Sequence, residues 1–263
     1  MSGAVLLTVS ASVASVTLSH AGKLNAMSRL MWRQLRSVFE RIQGGKDLRC
    51  VVVSGENKNF CAGGDISEYA DFRFQEASLR DFHEMDVWGG LQAMLDCDVP
   101  IVAQIEGQCM GAGVEIASCC DIRVAGVSAR FGAPIARLGF PMAPREAALV
   151  AREAGFSVAR QMLLEAAIFG AADMKAAGFL SRVLADTQVA AEAFASALRI
   201  AALAPQAARL NKQTIRASLA PLATPQAPGE GDAARVDKSY SYATSAEHRE
   251  GIKAFLEKRR PVF

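Results

Sequence analysis

The stretch that most constrains this chain spans residues 100–121, PIVAQIEGQCMGAGVEIASCCD. It opens with a proline and a short apolar run, a pattern that predicts a buried strand starting after a breaker. Small residues follow at 111–113, and the sequence then becomes helical, with Glu115 as the one charge between residues 114 and 120. The stretch therefore predicts a strand that passes through a glycine-rich turn directly into an apolar helix.

Such a junction leaves the first N–H groups of the helix without partners, and the helix macrodipole adds partial positive charge there. Small side chains let a ligand approach this backbone closely, so the turn is a candidate site for an oxyanion. Glu115, one turn inside the helix, is within reach of the same ligand. A tight packing turn and a solvated glutamate explain the same residues, and the stretch by itself leaves both interpretations open.

A second glycine pair lies earlier in the chain, in the segment FCAGGDI at residues 60–66. Gly63 and Gly64 again stand at a predicted strand-to-helix junction, so this turn can expose a second N–H group. An ordinary Gly-Gly turn is the more common explanation of such a pair. His83 has no partner visible in the sequence, and we expect a surface or packing role for it rather than catalysis.

Composition and charge exclude several classes of protein. The 263 residues are 51% hydrophobic, enough for one large core with an appendage. A net charge of +2 gives no argument for a nucleic-acid partner. The apolar N-terminus lacks a basic start, and no apolar run approaches the roughly 18 residues of a membrane span, so we expect no membrane partner. The six cysteines form no CxxC pair, which favours buried thiols, no metal site and a reducing cytoplasm.

The predicted elements mix strands and helices first and contain helices alone afterwards, which is typical of an α/β core followed by a helical tail. Strands are predicted at residues 5–9, 13–18, 50–54, 101–105 and 122–125. Helices are predicted from a cap at Ser28 to residue 43, and at 147–154, 157–167, 190–204, 206–219 and 245–260. We expect a loop at 129–141 and a Pro/Gly connector at 221–231. The division that follows is a core at 1–205 and a C-terminal helical region at 206–263.

With both turns in place, the chain resembles the enoyl-CoA hydratase/isomerase family, also called the crotonase superfamily. The resemblance covers nearly the whole chain, in family order, through residues 25–26, 60–66, 100–103, 107, 111–115, 120–121, 131, 139–141, 176–179 and 255–261. It implies a core built as a spiral of ββα turns, with C-terminal helices that assemble trimers, often paired into hexamers. It also implies an acyl-CoA thioester substrate, a role in fatty-acid metabolism, and no metal or redox cofactor.

The resemblance assigns catalytic roles to individual residues. By position, the backbone N–H groups of Ala62 and Ala112 form an oxyanion hole, and the family usually has glycine where Ala112 stands. Glu115 is the general acid/base. An enolate formed from the thioester carries negative charge on its carbonyl oxygen, and each preorganised N–H donor stabilises it by about 2.7–4 kcal/mol.

The resemblance further implies that CoA or the acyl group contacts Lys23, Leu24, Ala62, Gly63, Gly64, Asp65, Ile66 and Ile135. Lys23 and Leu24 line the entry, and Asp65 and Ile66 lie near the adenine. Ile135 marks a departure, because family hydratases commonly carry a second glutamate at this place, in a Gln-Pro-Glu segment. We expect the apolar side chain of Ile135 to line the acyl pocket.

This departure leaves the reaction open. The leading hypothesis is a hydratase-like enzyme with Glu115 as its only general acid/base. The alternatives are an isomerase, a decarboxylase or a thioester hydrolase on the same scaffold, and a non-catalytic acyl-CoA-binding homologue. For Arg145 and Glu146 we expect a salt bridge at a helix start and an acid favoured by the helix dipole, rather than a replacement catalytic role.

Overall fold

The computed structural model of the chain describes residues 3–218 and 246–263 and confirms the α/β class. Its strands are β1 (Ala4–Ser10), β2 (Val13–Ser19), β3 (Cys50–Gly55), β4 (Ile101–Ile105), β5 (Gln108–Met110), β6 (Ile122–Gly126), β7 (Arg130–Gly132), β8 (Ile168–Gly170) and β9 (Arg182–Leu184). Its helices are α1 (Arg29–Gly44), α2 (Glu76–Asp81), α3 (Trp88–Asp96), α4 (Ala112–Ser118), α5 (Pro144–Ala154), α6 (Phe156–Leu164), α7 (Ala171–Ala176), α8 (Val189–Ala201), α9 (Pro205–Ser218) and α10 (Ala246–Leu256). A π-helical segment, Phe82–Val87, joins α2 to α3, and one of the 3₁₀ turns spans Pro134–Leu138.

The main sheet has six strands in the order β1-β2-β3-β4-β6-β9. The predicted hairpin β1/β2 is antiparallel, and every later pairing in this sheet is parallel. In β3, Val51 and Val53 pack into the larger core cluster, whereas Cys50 and Val52 pack into a second cluster. Alternate side chains of a strand point to opposite faces, so a strand that is covered on both faces is apolar throughout.

Helices cover both faces of this sheet. On one face α1 contributes Trp32 and Phe39 to the larger cluster, and on the other α8 contributes Ala193 and Ala197 to the smaller one. The start of α1 is the predicted one, because the Ser28 hydroxyl accepts a hydrogen bond from the Met31 N–H over 3.2 Å. All six cysteines are buried and free, which confirms the predicted buried thiols.

A second, smaller sheet was not predicted. β5 pairs in parallel with β7, and β7 pairs antiparallel with β8. The expected loop at 129–141 therefore contains a strand and a 3₁₀ turn. Three-residue strands are too short to show a period of two, and Gly132 and Pro134 look like loop punctuation.

Four helix ends differ from the prediction by three or four residues, and two of them are the ends of α6 and α8, at Leu164 and Ala201 rather than at residues 167 and 204. α5 begins at Pro144 rather than at residue 147, because proline is tolerated in the first turn of a helix. The last helix ends at Leu256 rather than at residue 260, and Lys258, with φ of 54°, has left the helical region. The predicted connector at 221–231 lies outside the described residues. In the part of the chain that the structure describes, no helix is long and apolar enough to cross a membrane.

Basic side chains hold α9 against the core. Lys212 Nζ lies 2.8 Å from Asp121 Oδ2, and Arg216 Nη2 lies 2.8 Å from Asp98 Oδ1. Lys212 also donates to the Val99 carbonyl over 3.0 Å. This helix therefore packs on the core of its own chain. The division after residue 205 and an oligomerising role for 206–263 stay predictions.

Candidate functional site

The two glycine-rich turns lie side by side. Cys61 and Cys109 pair in an isolated parallel bridge, and the Met110 N–H donates to the Cys61 carbonyl over 2.8 Å. A Cβ atom on Gly113 would lie 2.5 Å from that carbonyl oxygen. Because a side chain has no room there, the close approach of the two turns requires glycine at position 113.

The second turn delivers a free backbone donor. Gly111 precedes α4 with φ of 48° and ψ of −112°, a conformation that favours glycine. Ala112 follows as the first helical residue, and among the described residues its N–H group has no hydrogen-bond partner. This N–H group is therefore available to a ligand, as the predicted oxyanion role requires.

In the first turn, the N–H group that was predicted to be free is not free. The Ala62 N–H donates to the Leu24 carbonyl over 3.0 Å, so it is already engaged. This bond argues against Ala62 as an oxyanion donor and corrects the prediction. The next two N–H groups, those of Gly63 and Gly64, have no hydrogen-bond partner within residues 3–218 and 246–263. The free donors of this turn therefore lie one and two residues later than predicted.

A cavity of about 250 Å³ opens between the turns. Its wall brings together most of the predicted site residues, namely Ala62, Gly63, Gly64, Ile66, Ala112, Glu115 and Ile135. The cavity shares the side chains of Tyr69 and Phe140 with an outer pocket of about 620 Å³. Together the two spaces are of the size that ligand-binding clefts have in proteins.

The remaining predicted residues, Lys23, Leu24 and Asp65, lie outside the cavity wall. Lys23 Nζ lies 2.6 Å from Asp65 Oδ2. Burial opposes ionisation of Asp65, but hydrogen bonds from Lys23 and Ser67 outweigh it and hold the pKa of this carboxyl below its ordinary value. The pair therefore fixes an exposed ammonium group beside Ile66, which does line the cavity.

Glu115 lies one turn inside α4 and is 8% exposed. Burial, and after it the negative charge of Glu146, raise the pKa of the Glu115 carboxyl from an ordinary 4.5 to about 8. At neutral pH this carboxyl therefore holds a proton that it can donate inside the cavity.

Two residues of the site were not predicted from the sequence. Glu146, in the first turn of α5, is 2% exposed and lines the same cavity, and His83 lies there with its Nδ1 3.2 Å from Glu146 Oε1. The expected salt bridge of Arg145 is confirmed, with Glu84 as its partner. Glu146 is confirmed as an acid in the first turn of a helix, but the burial of its carboxylate was not expected. An acid behind a helix-starting proline gives no sequence signal of burial.

Residues 134–143 contribute a further wall. Ile135 is half-buried there and lines the cavity, as expected. The guanidinium carbon of Arg73 lies 3.6 Å from the ring centroid of Phe140 and 4.5 Å from that of Tyr69. The Arg73 side chain makes no hydrogen bond or ion pair with any described residue, and burial lowers its pKa. Ile135 therefore offers the cavity an apolar side chain, and Arg73, which packs against Phe140 of this wall, offers a cation that makes no ion pair with a described residue.

Comparison with known proteins identifies relatives of this chain. The family model for enoyl-CoA hydratase/isomerase matches residues 8–263. A probable enoyl-CoA hydratase of Mycobacterium bovis is 29% identical over 251 residues, which cover 95% of this chain and 94% of the relative. The 2,3-dehydroadipyl-CoA hydratase of Escherichia coli is 30% identical over 249 residues, 94% and 93% of the two chains. A solved structure described as an enoyl-CoA hydratase/carnithine racemase from Magnetospirillum magneticum superposes with a TM-score of 0.91 at 33% identity, over 98% of this chain and 94% of that one.

Proposed function

The chain belongs to the enoyl-CoA hydratase/isomerase family, and from this premise we propose the chemistry of its cavity. It is an enoyl-CoA hydratase-like enzyme that acts on an acyl-CoA thioester. The reaction we propose is the addition of water across the 2,3 double bond of the acyl group. One observation carries this proposal: Glu115 is buried, with its pKa raised, in the same cavity as the free N–H group of Ala112.

The thioester oxygen binds between the Ala112 N–H and one N–H group of the pair Gly63 and Gly64. Negative charge develops on this oxygen as the enolate forms, and each donor stabilises it by about 2.7–4 kcal/mol. The bridge between Cys61 and Cys109 supports this arrangement, because it fixes the distance between the two turns before substrate binds. The Gly63–Gly64 donor takes the place of the Ala62 donor that the sequence predicted.

Glu115 supplies the proton that completes the reaction. As water adds to Cβ, electrons move to the carbonyl oxygen, and Glu115 protonates Cα. The proton that the added water releases then returns to Glu115, which leaves a 3-hydroxyacyl-CoA and restores the acid. Proton transfers and a stabilised enolate are sufficient for this sequence. We therefore propose that the enzyme uses no metal or redox cofactor, and that CoA enters only as part of the substrate.

We place the CoA moiety along Lys23, Leu24, Asp65 and Ile66. The Lys23 ammonium group, fixed by Asp65, suits the phosphates of CoA. Leu24 and Ile66 are 49% and 55% exposed, so they offer apolar surface to the adenine. Asp65 acts through Lys23, because its own carboxylate is buried.

An acyl group that ends in a carboxylate is a second candidate for the substrate, and Arg73 favours it. The guanidinium group is half-buried and unpaired among the described residues, and arginine binds carboxylates in a bidentate manner. The Escherichia coli relative is named for 2,3-dehydroadipyl-CoA, a thioester of a dicarboxylic acid. An acyl group with an apolar end is the first candidate, since Ile135 lines the same cavity.

We also propose that the C-terminal helices join copies of the chain into a trimer or hexamer. Large apolar side chains are exposed on these helices, with Ile215 63% and Ile252 54% exposed. Covering them in an assembly removes apolar surface from water. Sedimentation as a monomer at micromolar concentration would contradict this.

Turnover of trans-2-enoyl-CoA esters of increasing chain length, followed by mass spectrometry, tests the proposed reaction. We expect a product heavier by one water. Glu115→Gln is nearly isosteric and should lower kcat by about 10²–10⁴-fold while saturated acyl-CoA binds as before. A shifted double bond, loss of carbon dioxide or released CoA would assign an isomerase, a decarboxylase or a hydrolase. Binding of every thioester without turnover would assign a non-catalytic homologue.

A further inference from the structure

One buried carboxylate lines the cavity and has no role in the chemistry proposed above. Glu146 lies in the first turn of α5, is 2% exposed and lines the same cavity as Glu115. An acidic residue at a helix start is normally solvated, where the helix dipole favours it. Its neighbour Arg145 shows such an exposed arrangement, paired with Glu84 over 3.2 Å. A favourable helix dipole therefore does not explain why Glu146 is buried.

One oxygen of this carboxylate has a hydrogen-bond partner and the other has none. His83 Nδ1 lies 3.2 Å from Glu146 Oε1. Glu146 Oε2 is buried and has no hydrogen-bond partner in the described part of the chain. Native proteins rarely keep a buried carboxylate oxygen without a donor, because the missing hydrogen bond is unfavourable. A water or substrate molecule in the cavity is the donor that this site can receive.

His83 is fixed by an unusual piece of backbone. It belongs to the π-helical segment Phe82–Val87, and single π-helical turns occur frequently at functional sites. Its ring packs edge-on against Phe82, with ring centroids 5.1 Å apart. The ring is thus oriented by a neighbour while Nδ1 contacts Glu146. The segment thus positions His83 against Glu146 Oε1 and leaves Glu146 Oε2 available to a ligand in the cavity.

We propose that Glu146 is the second catalytic carboxylate of the hydration, supplied by α5 in place of the glutamate that Ile135 replaces, with His83 as its positioning residue. This inference rests on the proposed function. The charge of Glu146 contributes to the raised pKa of Glu115, which shows that the two groups interact. Two carboxyl groups in one site rarely ionise together, so one holds a proton while the other acts as a base.

The proton and electron balance closes with these two groups and water. Glu146 Oε2 accepts a proton from water as the water oxygen bonds to Cβ, and the π electrons of the C=C bond move toward the thioester carbonyl. The resulting enolate is held by the two N–H donors and then takes the Glu115 proton at Cα. Afterwards the proton on Glu146 passes to Glu115, which restores both groups. Water is the only co-reactant.

Glu146→Gln tests the proposal directly. We expect kcat on a trans-2-enoyl-CoA to fall by about 10²–10⁴-fold, with binding of a saturated acyl-CoA unchanged and a cooperative melting transition retained. The matched control is Glu40→Gln, which removes a surface partner of Arg36 on α1 and should keep the wild-type kcat. Wild-type kcat in Glu146→Gln would overturn the proposal, and if Glu115→Gln is inactive the proposed function still stands. A wild-type enzyme that hydrates no enoyl-CoA would overturn the proposed function itself.

His83 gives a test that leaves the carboxylate in place. His83→Gln keeps an N–H donor, whereas His83→Phe removes it. We expect His83→Phe to lower kcat by about 10–100-fold at unchanged KM, because a displaced base transfers protons poorly. His83→Gln should recover most of this loss, and equal kcat values in the two variants would overturn the positioning role.

Ile135 gives a test by rescue. It lines the same cavity, so a glutamate there returns a carboxylate to the site from another wall. In Glu146→Gln/Ile135→Glu we expect kcat to rise by about tenfold or more above that of Glu146→Gln. A double variant that melts like the wild type and gains nothing would overturn the idea that the two positions serve one role.

Discussion

The two walls of the cavity are built in different ways. The wall at residues 111–115 acts through its backbone, since the turn is fixed by contact with Cys61 and offers the N–H group of Ala112. The wall at residues 134–146 acts through side chains, with Ile135 half-buried and Glu146 contacting His83. Both walls contribute a buried carboxyl group, yet within residues 3–218 and 246–263 only that of Glu146 makes a hydrogen bond to a histidine.

This difference separates two tasks. In the proposed reaction a backbone N–H recognises the thioester oxygen, which is the same in every acyl-CoA, so the first wall sets the reaction. In the same proposal side chains recognise the part of the substrate that varies, so the second wall selects the acyl group and supplies the second proton-transfer group. We therefore expect changes at 111–115 to affect all substrates alike and changes near Phe140 to discriminate between them.

The largest effect should come from Ala112→Pro. Proline lacks the N–H group but is well tolerated at the first position of a helix, which Ala112 occupies. Loss of one oxyanion donor should lower kcat by about 10²–10³-fold on every acyl-CoA tested. Steady-state kinetics on substrates of different chain length measures this.

Ala112→Gly is the matched control, because glycine keeps the N–H group and only removes a methyl group. We expect its kcat to stay close to that of the wild type. If Ala112→Pro lowers kcat on some substrates and not on others, the first wall does not act on the thioester alone. The proposed division of roles between the two walls would then be wrong.

A smaller effect is expected on the pH dependence of stability in Glu115→Gln. The pKa of Glu115 is about 8 when folded, against an ordinary 4.5. Between these values the folded chain holds a proton that the unfolded chain has released. The free energy of unfolding therefore falls as pH rises, by up to about 1.4 kcal/mol per pH unit. Glutamine removes this titration, so the variant should gain stability over the wild type as pH rises.

Urea unfolding of both chains at about pH 5 and at about pH 8 measures this difference. Glu146→Gln is the informative companion, because it removes the charge that adds to the raised pKa of Glu115. Its stability should depend on pH less steeply than that of the wild type. A constant difference between Glu115→Gln and the wild type at both pH values would show that the pKa of Glu115 is not raised.

Much of the fold could be predicted from the sequence, because its strands and turns have strong local signals. β3 and β4 are apolar on both faces, and Ser28 caps α1 where expected. The helix that follows residues 111–113 starts at the turn itself. The cavity between the turns followed from the family resemblance, since no spacing along the chain shows that Cys61 and Cys109 pair.

What the sequence did not predict depends on contacts between distant segments. Whether the Ala62 N–H is free depends on the carbonyl of Leu24, which lies far earlier in the chain. The contact of Glu146 with His83 joins two segments that lie far apart in the sequence. β7 is defined only by its partners, because three residues carry no pattern of their own.

The smallest effect, and the sharpest test of the second wall, is expected at Arg73. Its guanidinium group packs on Phe140 and Tyr69 and interacts electrostatically with Glu146, but it makes no ion pair or hydrogen bond with a described residue, so a substrate carboxylate can bind it. Arg73→Met keeps the length and the packing but removes the charge and the donors. A hydrogen bond to a charged group contributes about 1.5–3 kcal/mol, so kcat/KM for an enoyl-CoA ending in a carboxylate should fall by about 10–100-fold. The methyl-ended substrate of equal length should be turned over as before, and so should both substrates by Arg80→Met, which changes an exposed arginine paired with Glu76. An equal loss on both substrates would place the Arg73 contact on CoA instead, and the second wall would then not select the acyl group through this residue.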